Sequence, residues 1–140
     1  MKYIVILLFF IPLVYAKSIA IVKDVKGEVI AKSATDYYAL HTGDELDSKI
    51  VVISKNGSAV IVFNDNSTAV LAPYSMLSLK KFVFKPMKNE YEFELFLKKG
   101  SLSFESGKIG ELAPEKFILK TPEGMVSIRG TKFFVQVKGE

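Results

Sequence analysis

Beyond its first sixteen residues this chain sustains no helical period, whereas short β-branched and aromatic runs recur between turn signals along its whole length. Such a chain can bury its apolar side chains only by laying strands together, so an all-β fold is expected. The candidate strands are 19–25, 28–32, 49–54, 58–63, 68–71, 76–84, 91–98, 101–105, 117–120, 125–128 and 132–137. Many short strands at this spacing suit a single domain built as a sandwich or as a roll or solenoid-like stack.

Two kinds of strand stand out. Glu90-Tyr-Glu-Phe-Glu-Leu95 alternates strictly, with Tyr91, Phe93 and Leu95 on one face and Glu90, Glu92 and Glu94 on the other. One face of that strand is therefore wet. Ala59-Val-Ile-Val-Phe63 and residues 50–53 are apolar at both parities, so they are expected to be central and covered on both sides.

Turn chemistry separates these runs at Lys26-Gly27, Thr42-Gly43-Asp44, Asn56-Gly57, Asn64-Asp-Asn66, Lys99-Gly100 and Glu123-Gly124. Asn56-Gly57 carries the strongest hairpin signal, because both residue types tolerate positive φ. Asn56-Gly-Ser-Ala-Val60 is loosely echoed by Asp65-Asn-Ser-Thr-Ala-Val70, a hint of stacked units that falls short of a repeat. Residues 85–89 and 107–115, the latter with Pro114, read as longer loops. Near the end, Pro122 fixes its own φ and pushes Thr121 towards extended geometry. Gly124 then allows a reversal, and Gly130 interrupts the next apolar run where a bulge or close backbone approach is expected.

The start of the chain reads as a secretory leader: Met1 and Lys2, an apolar run over 4–14, then Val14-Tyr15-Ala16 with a cleavage site after Ala16. That run is shorter than the roughly 20 apolar residues a spanning helix needs. The expectation is a leader at 1–16 and one exported domain at 17–140, in the periplasm or secreted. The chain has no cysteine, which excludes disulfides, thiol catalysis, cysteine metal sites and lipid attachment through cysteine. Net charge is +4, and +3 once Lys2 leaves with the leader. The lysines are spread along the chain, so nucleic acid is not an expected partner.

Each chemically suggestive cluster has a plain structural reading beside it. His41, Asp44, Glu45 and Asp47 offer oxygen and nitrogen ligands, but their spacing matches no ion loop, and a solvated turn capped by Asp44 accounts for them. Asn64-Asp65-Asn66 is half of a calcium loop without its glycine and distal glutamate, hence a β-turn. The glutamates at 90, 92 and 94 form an exposed face suited to cross-strand lysines rather than an acid/base pair. Tyr37, Tyr38, Phe82, Phe84, Tyr91, Phe133 and Phe134 could stack sugars, although such residues more often fill a β core. Arg129 is the only arginine, and its five donors suit either tying strands together or anchoring an anion. No nucleophile elbow, phosphate loop or dinucleotide fingerprint is present. No catalytic residue, metal site or cofactor is expected.

The ordered set Val25-Lys-Gly-Glu-Val29, Leu40-His-Thr-Gly-Asp44, Asn56-Gly-Ser-Ala-Val-Ile-Val62 and Asn64-Asp-Asn-Ser67 resembles the FecR domain family. The match continues through Tyr74-Ser-Met-Leu77, Leu97-Lys-Lys-Gly-Ser-Leu102 and an ending that runs from Thr121-Pro to Arg129-Gly-Thr131. The resemblance marks Gly43, Asp44, Asn56, Gly57, Thr121, Pro122, Arg129, Gly130 and Thr131 as its motif positions, with architectural roles. It implies a bacterial extracytoplasmic all-β module. In its best-known setting that module belongs to transmembrane sigma-factor regulators, which sense the liganded state of a ferric-siderophore receptor. The chain shows no anti-sigma region and no internal membrane helix, so the expectation is a standalone, non-enzymatic sensory or interaction module. Its partner is then an envelope receptor or sensor, or a second copy joined through the edge of the strand at 132–137. The alternative is a cell-wall glycan-associated protein held peripherally at membrane or peptidoglycan.

Overall fold

The structure, a computed structural model, describes residues 5–6, 18–127 and 131–138. The leader at 1–16 thus lies almost wholly outside the described residues. Among the described residues twelve strands form one continuous, almost entirely antiparallel sheet that curls over on itself. They are β1 (Ala20–Lys26), β2 (Val29–Lys32), β3 (Tyr37–Ala39), β4 (Glu45–Leu46), β5 (Val51–Ser54) and β6 (Ser58–Phe63), followed by β7 (Thr68–Leu71), β8 (Met76–Lys85), β9 (Glu90–Glu105), β10 (Phe117–Thr121), β11 (Gly124–Val126) and β12 (Lys132–Val137). A one-turn helix, α1 (Lys108–Leu112), lies between β9 and β10.

The fold line runs through β9. Its first part, from Glu90 to Lys99, pairs with β8, and its last residues pair with β7 and β12 on either side. One half of the sheet therefore runs β4-β1-β6-β7-β9-β12 and the other β3-β2-β5-β8-β9-β10-β11. Among the described strands only β10 against β9 is parallel. The expected strand break at Lys99-Gly100 is thus corrected: the strand runs through, and Gly100, with φ +89°, is its corner.

Strand partners also correct the reading of the turns. β5 pairs with β2 and β8, and β6 with β1 and β7, so Asn56-Gly57 joins two strands that do not pair with each other. It is an arch from one half-sheet to the other, not a hairpin. Lys26-Gly27 is a second arch, and the segments 40–44, 72–75 and 99–101 cross in the same way. The true hairpins lie elsewhere: β2–β3, β6–β7, β8–β9 and β10–β11.

Between the halves lies the core. Phe63, Phe93, Phe104 and Phe117 are buried, with Phe82 and Phe133 packed against them, and their ring centroids stand 4.7–6.0 Å apart. Ile61, Leu71, Leu77, Leu95 and Leu102 complete it. Each such side chain contributes about 1.5–3 kcal/mol by leaving water. The expectation that β5 and β6 are covered on both faces is corrected as well. Both alternate buried and half-buried along their length, because one face meets the core while the other carries only neighbouring side chains.

Several short elements were not visible in the sequence. β3 and β4 are two or three residues long and lie at sheet edges, too short to show an alternating pattern. Residues 107–115, expected as loop, hold α1 and a 3₁₀ turn at Pro114–Lys116.

Candidate functional site

Four of the motif positions, Gly43, Asp44, Asn56 and Gly57, lie on one row of arches. In spatial order the crossings are 40–44, 27–28, 55–57, 72–75 and 99–101, each bonded through backbone to the next or to the strands that flank it. Val29 O accepts from Leu40 N at 2.9 Å and Val22 O from Gly43 N at 2.7 Å. Glu28 O accepts from Lys55 N at 3.1 Å, Lys55 O from Tyr74 N at 2.8 Å, and Ser101 O from Ala72 N at 3.1 Å. Asn56 reinforces the second rung, its Oδ1 accepting from Glu28 N at 3.1 Å.

Steric closeness selects the small residues here. A Cβ on Gly57 would stand 2.2 Å from the Lys26 carbonyl oxygen and 2.8 Å from the Gly27 carbonyl carbon. Gly57 is therefore required by contact, not by positive φ as the turn reading supposed. At Gly100 a Cβ would stand 2.0 Å from Ser75 Oγ and 2.5 Å from Ser75 Cα. Buried Ser75 uses its hydroxyl to accept from Ser101 N at 2.9 Å, and its own N–H donates to Ser54 Oγ at 2.9 Å. The serines stitch three successive arches without leaving a buried polar atom unpaired.

The outermost arch holds Gly43 and Asp44. Gly43 has φ +95° and open space around it. Asp44 Oδ2 accepts from His41 N at 2.8 Å, the capped turn expected from the sequence. His41 Nδ1 lies 3.8 Å from the same oxygen, with both side chains exposed. Among the described residues no three histidine, aspartate or glutamate side chains converge as metal ligands. Burial, with Asp47 and Asp44 nearby, pushes the Tyr38 phenol above its ordinary value.

The remaining motif residues lie apart from this row. Thr121 Oγ1 accepts from Glu123 N at 3.2 Å and donates to Gly124 O at 3.2 Å, closing the β10–β11 hairpin over Pro122. Thr131 O accepts from Ser106 N at 2.7 Å just before β12. Arg129 and Gly130 lie outside the described residues.

One functional-looking group was missed as such. Asp65, taken as part of an ordinary turn, is fully buried at the end of the molecule opposite the arches. Its carboxylate accepts from Ser67 N at 3.0 Å, Ser67 Oγ at 2.8 Å and Ile109 N at 3.1 Å, and its carbonyl accepts from Lys108 N at 2.8 Å. Ser67 Oγ in turn accepts from Gly107 N at 2.9 Å. The clasp fixes α1 to the β6–β7 hairpin. Its sequence signal was weak, because Asn-Asp-Asn-Ser is ordinary turn composition and its partner lies more than forty residues away.

Outside the core the sheet faces carry both charge and apolar surface. Glu94 meets Lys120 at 3.0 Å and Glu90 meets Lys85 at 4.0 Å, so two rungs of the acidic ladder find lysines on neighbouring strands. Across the β6, β7, β9 and β12 half-sheet, Val60, Val70, Ser103 and Phe134 stand in register as one row. Val70 and Phe134 are exposed, Phe134 at 65%. None of the ring pairs found among the described residues joins two exposed rings.

A family model described as FecR protein matches residues 49–140, from just before β5 to the end of the sequence. No curated protein and no solved structure matches the chain.

Proposed function

This chain belongs to the FecR family, whose members serve signal transduction with partner proteins, and from that premise we propose that it is an exported, non-enzymatic interaction module of an envelope signalling pathway. The family match carries this reading. It spans the arches at 55–57, 72–75 and 99–101, the Thr121-Pro122 hairpin and β12, and so includes most of the motif positions. Export rests on the leader pattern at 1–16 and fits a cysteine-free domain stabilised by a large aromatic core.

A protein partner is favoured over a glycan by the surface. Sugar-binding faces present planar rings side by side, whereas here an apolar row runs across strands towards the β12 edge. The test is affinity capture on the immobilised domain from a detergent-solubilised envelope extract of the native host, read by mass spectrometry. Stoichiometric enrichment of one receptor or sensor supports the proposal. Capture of peptidoglycan fragments without such a protein transfers the chain to the wall-associated class.

A further inference from the structure

Among the described strands, those with a partner on one side only differ in length and protection. β4 runs two residues and carries Glu45, and β3 and β11 run three each. β12 runs six, Lys132–Val137, pairing with β9 along one side and with no described strand along the other. Edges are ordinarily blunted by shortness, bulges, proline or charge. β12 has a single charge, Lys132 at its start, and neither glycine nor proline. Its core-facing Phe133 and Val135 remain only half-buried, and Phe134 projects into solvent.

We propose that β12 seats a second copy of this chain, added antiparallel about a two-fold axis that passes through Phe134. Directly opposed residues of an antiparallel pair share a face, so such an axis must pass through a residue rather than between two. Centred on Phe134, it sets that ring against its own copy, Lys132 against Gln136 and Phe133 against Val135. Every opposed pair is then compatible, and the half-covered inner residues gain a neighbour. Centred instead on Val135, it would oppose Lys132 to Lys138, a like-charge pair that disfavours that register. The outer row Val60, Val70, Ser103, Phe134 would continue across the axis into the same row of the second copy. This self-complementarity argues for a second copy over an unrelated strand. It goes beyond the signalling proposal and does not depend on which receptor, if any, is engaged.

The chain's lack of native cysteine makes the test direct. Opposed Cα atoms in an antiparallel pair stand about 4.5–5.5 Å apart, within disulfide reach. The Gln136 positions of the two copies would instead lie about 14 Å apart along the strands. Protein processed and exported by its expression host is purified as wild type, Phe134→Cys, Gln136→Cys and Phe134→Lys. Sedimentation is followed from about 1 µM to about 1 mM, the span suited to a small interface. The expected result is a concentration-dependent wild-type dimer, several-fold more covalent dimer from Phe134→Cys than from Gln136→Cys under mild oxidation, and a monomeric Phe134→Lys with unchanged melting. A wild type that stays monomeric throughout overturns the proposal. So does a dimer in which the two cysteine variants cross-link equally, and neither result bears on receptor capture.

Discussion

Where β5 crosses to β6, Gly57 lies backbone to backbone against Lys26-Gly27. Where β6 turns back into β7, the segment 64–67 reaches α1 through a buried carboxylate. Both ends bring together backbone polar groups from separate segments of the chain. The arch end does so by exclusion: glycine and serine let adjacent crossings approach until their own amides and carbonyls pair. The Asp65 end does so by insertion, placing one side chain with enough acceptors to satisfy amides that have no backbone partner in reach. Crowding is therefore the sensitive variable at one end and loss of acceptors at the other.

Substitutions can set the two ends against each other. The largest effect is expected from Gly100→Val, which forces a branched side chain at positive φ into Ser75. Stability should fall by about 3 kcal/mol or more in urea titration, or the fold should be lost. Asp65→Ala removes acceptors instead of adding bulk and should cost about 2–4 kcal/mol. In that variant hydrogen exchange should quicken at the amides of Gly107, Lys108 and Ile109 while the arch amides stay protected. Equal loosening at both ends would show that the two devices are one cooperative unit. Gly43→Ala sharpens the contrast: it shares a positive φ with Gly100 but meets nothing, so only backbone strain of about 1–2 kcal/mol is expected in thermal melting. Glu94→Gln, at a surface pair with Lys120, should cost about 0.2–1 kcal/mol and lose its effect in high salt.

The smallest effect concerns alkaline pH. The Tyr38 phenol is held above its ordinary value of 10.0, chiefly by burial, so the folded state favours the protonated form. That contribution is fully present below the unfolded value and is lost as pH rises through the higher folded one. Tyr38→Phe should therefore flatten the decline of stability above about pH 10 and leave neutral pH unchanged.

Much of this comparison was legible beforehand, but unevenly. The strands at 58–63, 68–71 and 132–137 were read with the bounds they have, because alternation and β-branched content are local properties. Asp44 was read as a turn cap for the same reason, since its partner is three residues away. What local reading could not supply was the partner of each strand. Asn56-Gly57 has hairpin composition, yet an arch and a hairpin share their residues and differ only in which strands pair afterwards. Gly100 was taken as a break because a glycine that ends a strand and one that bends it look alike in sequence. Asp65 looked like turn chemistry because its third donor, Ile109 N, arrives from a distant segment.

The continuous passage of β9 through both half-sheets also sets an order of events. This strand pairs with β7, β8, β10 and β12, so neither half can close before residues 90–105 have emerged and been aligned. Until then the earlier strands form only partial ladders with their apolar faces open. Completion of the fold thus waits on a segment about two thirds of the way along the chain, and the non-local pairings it makes are of the kind that slow folding.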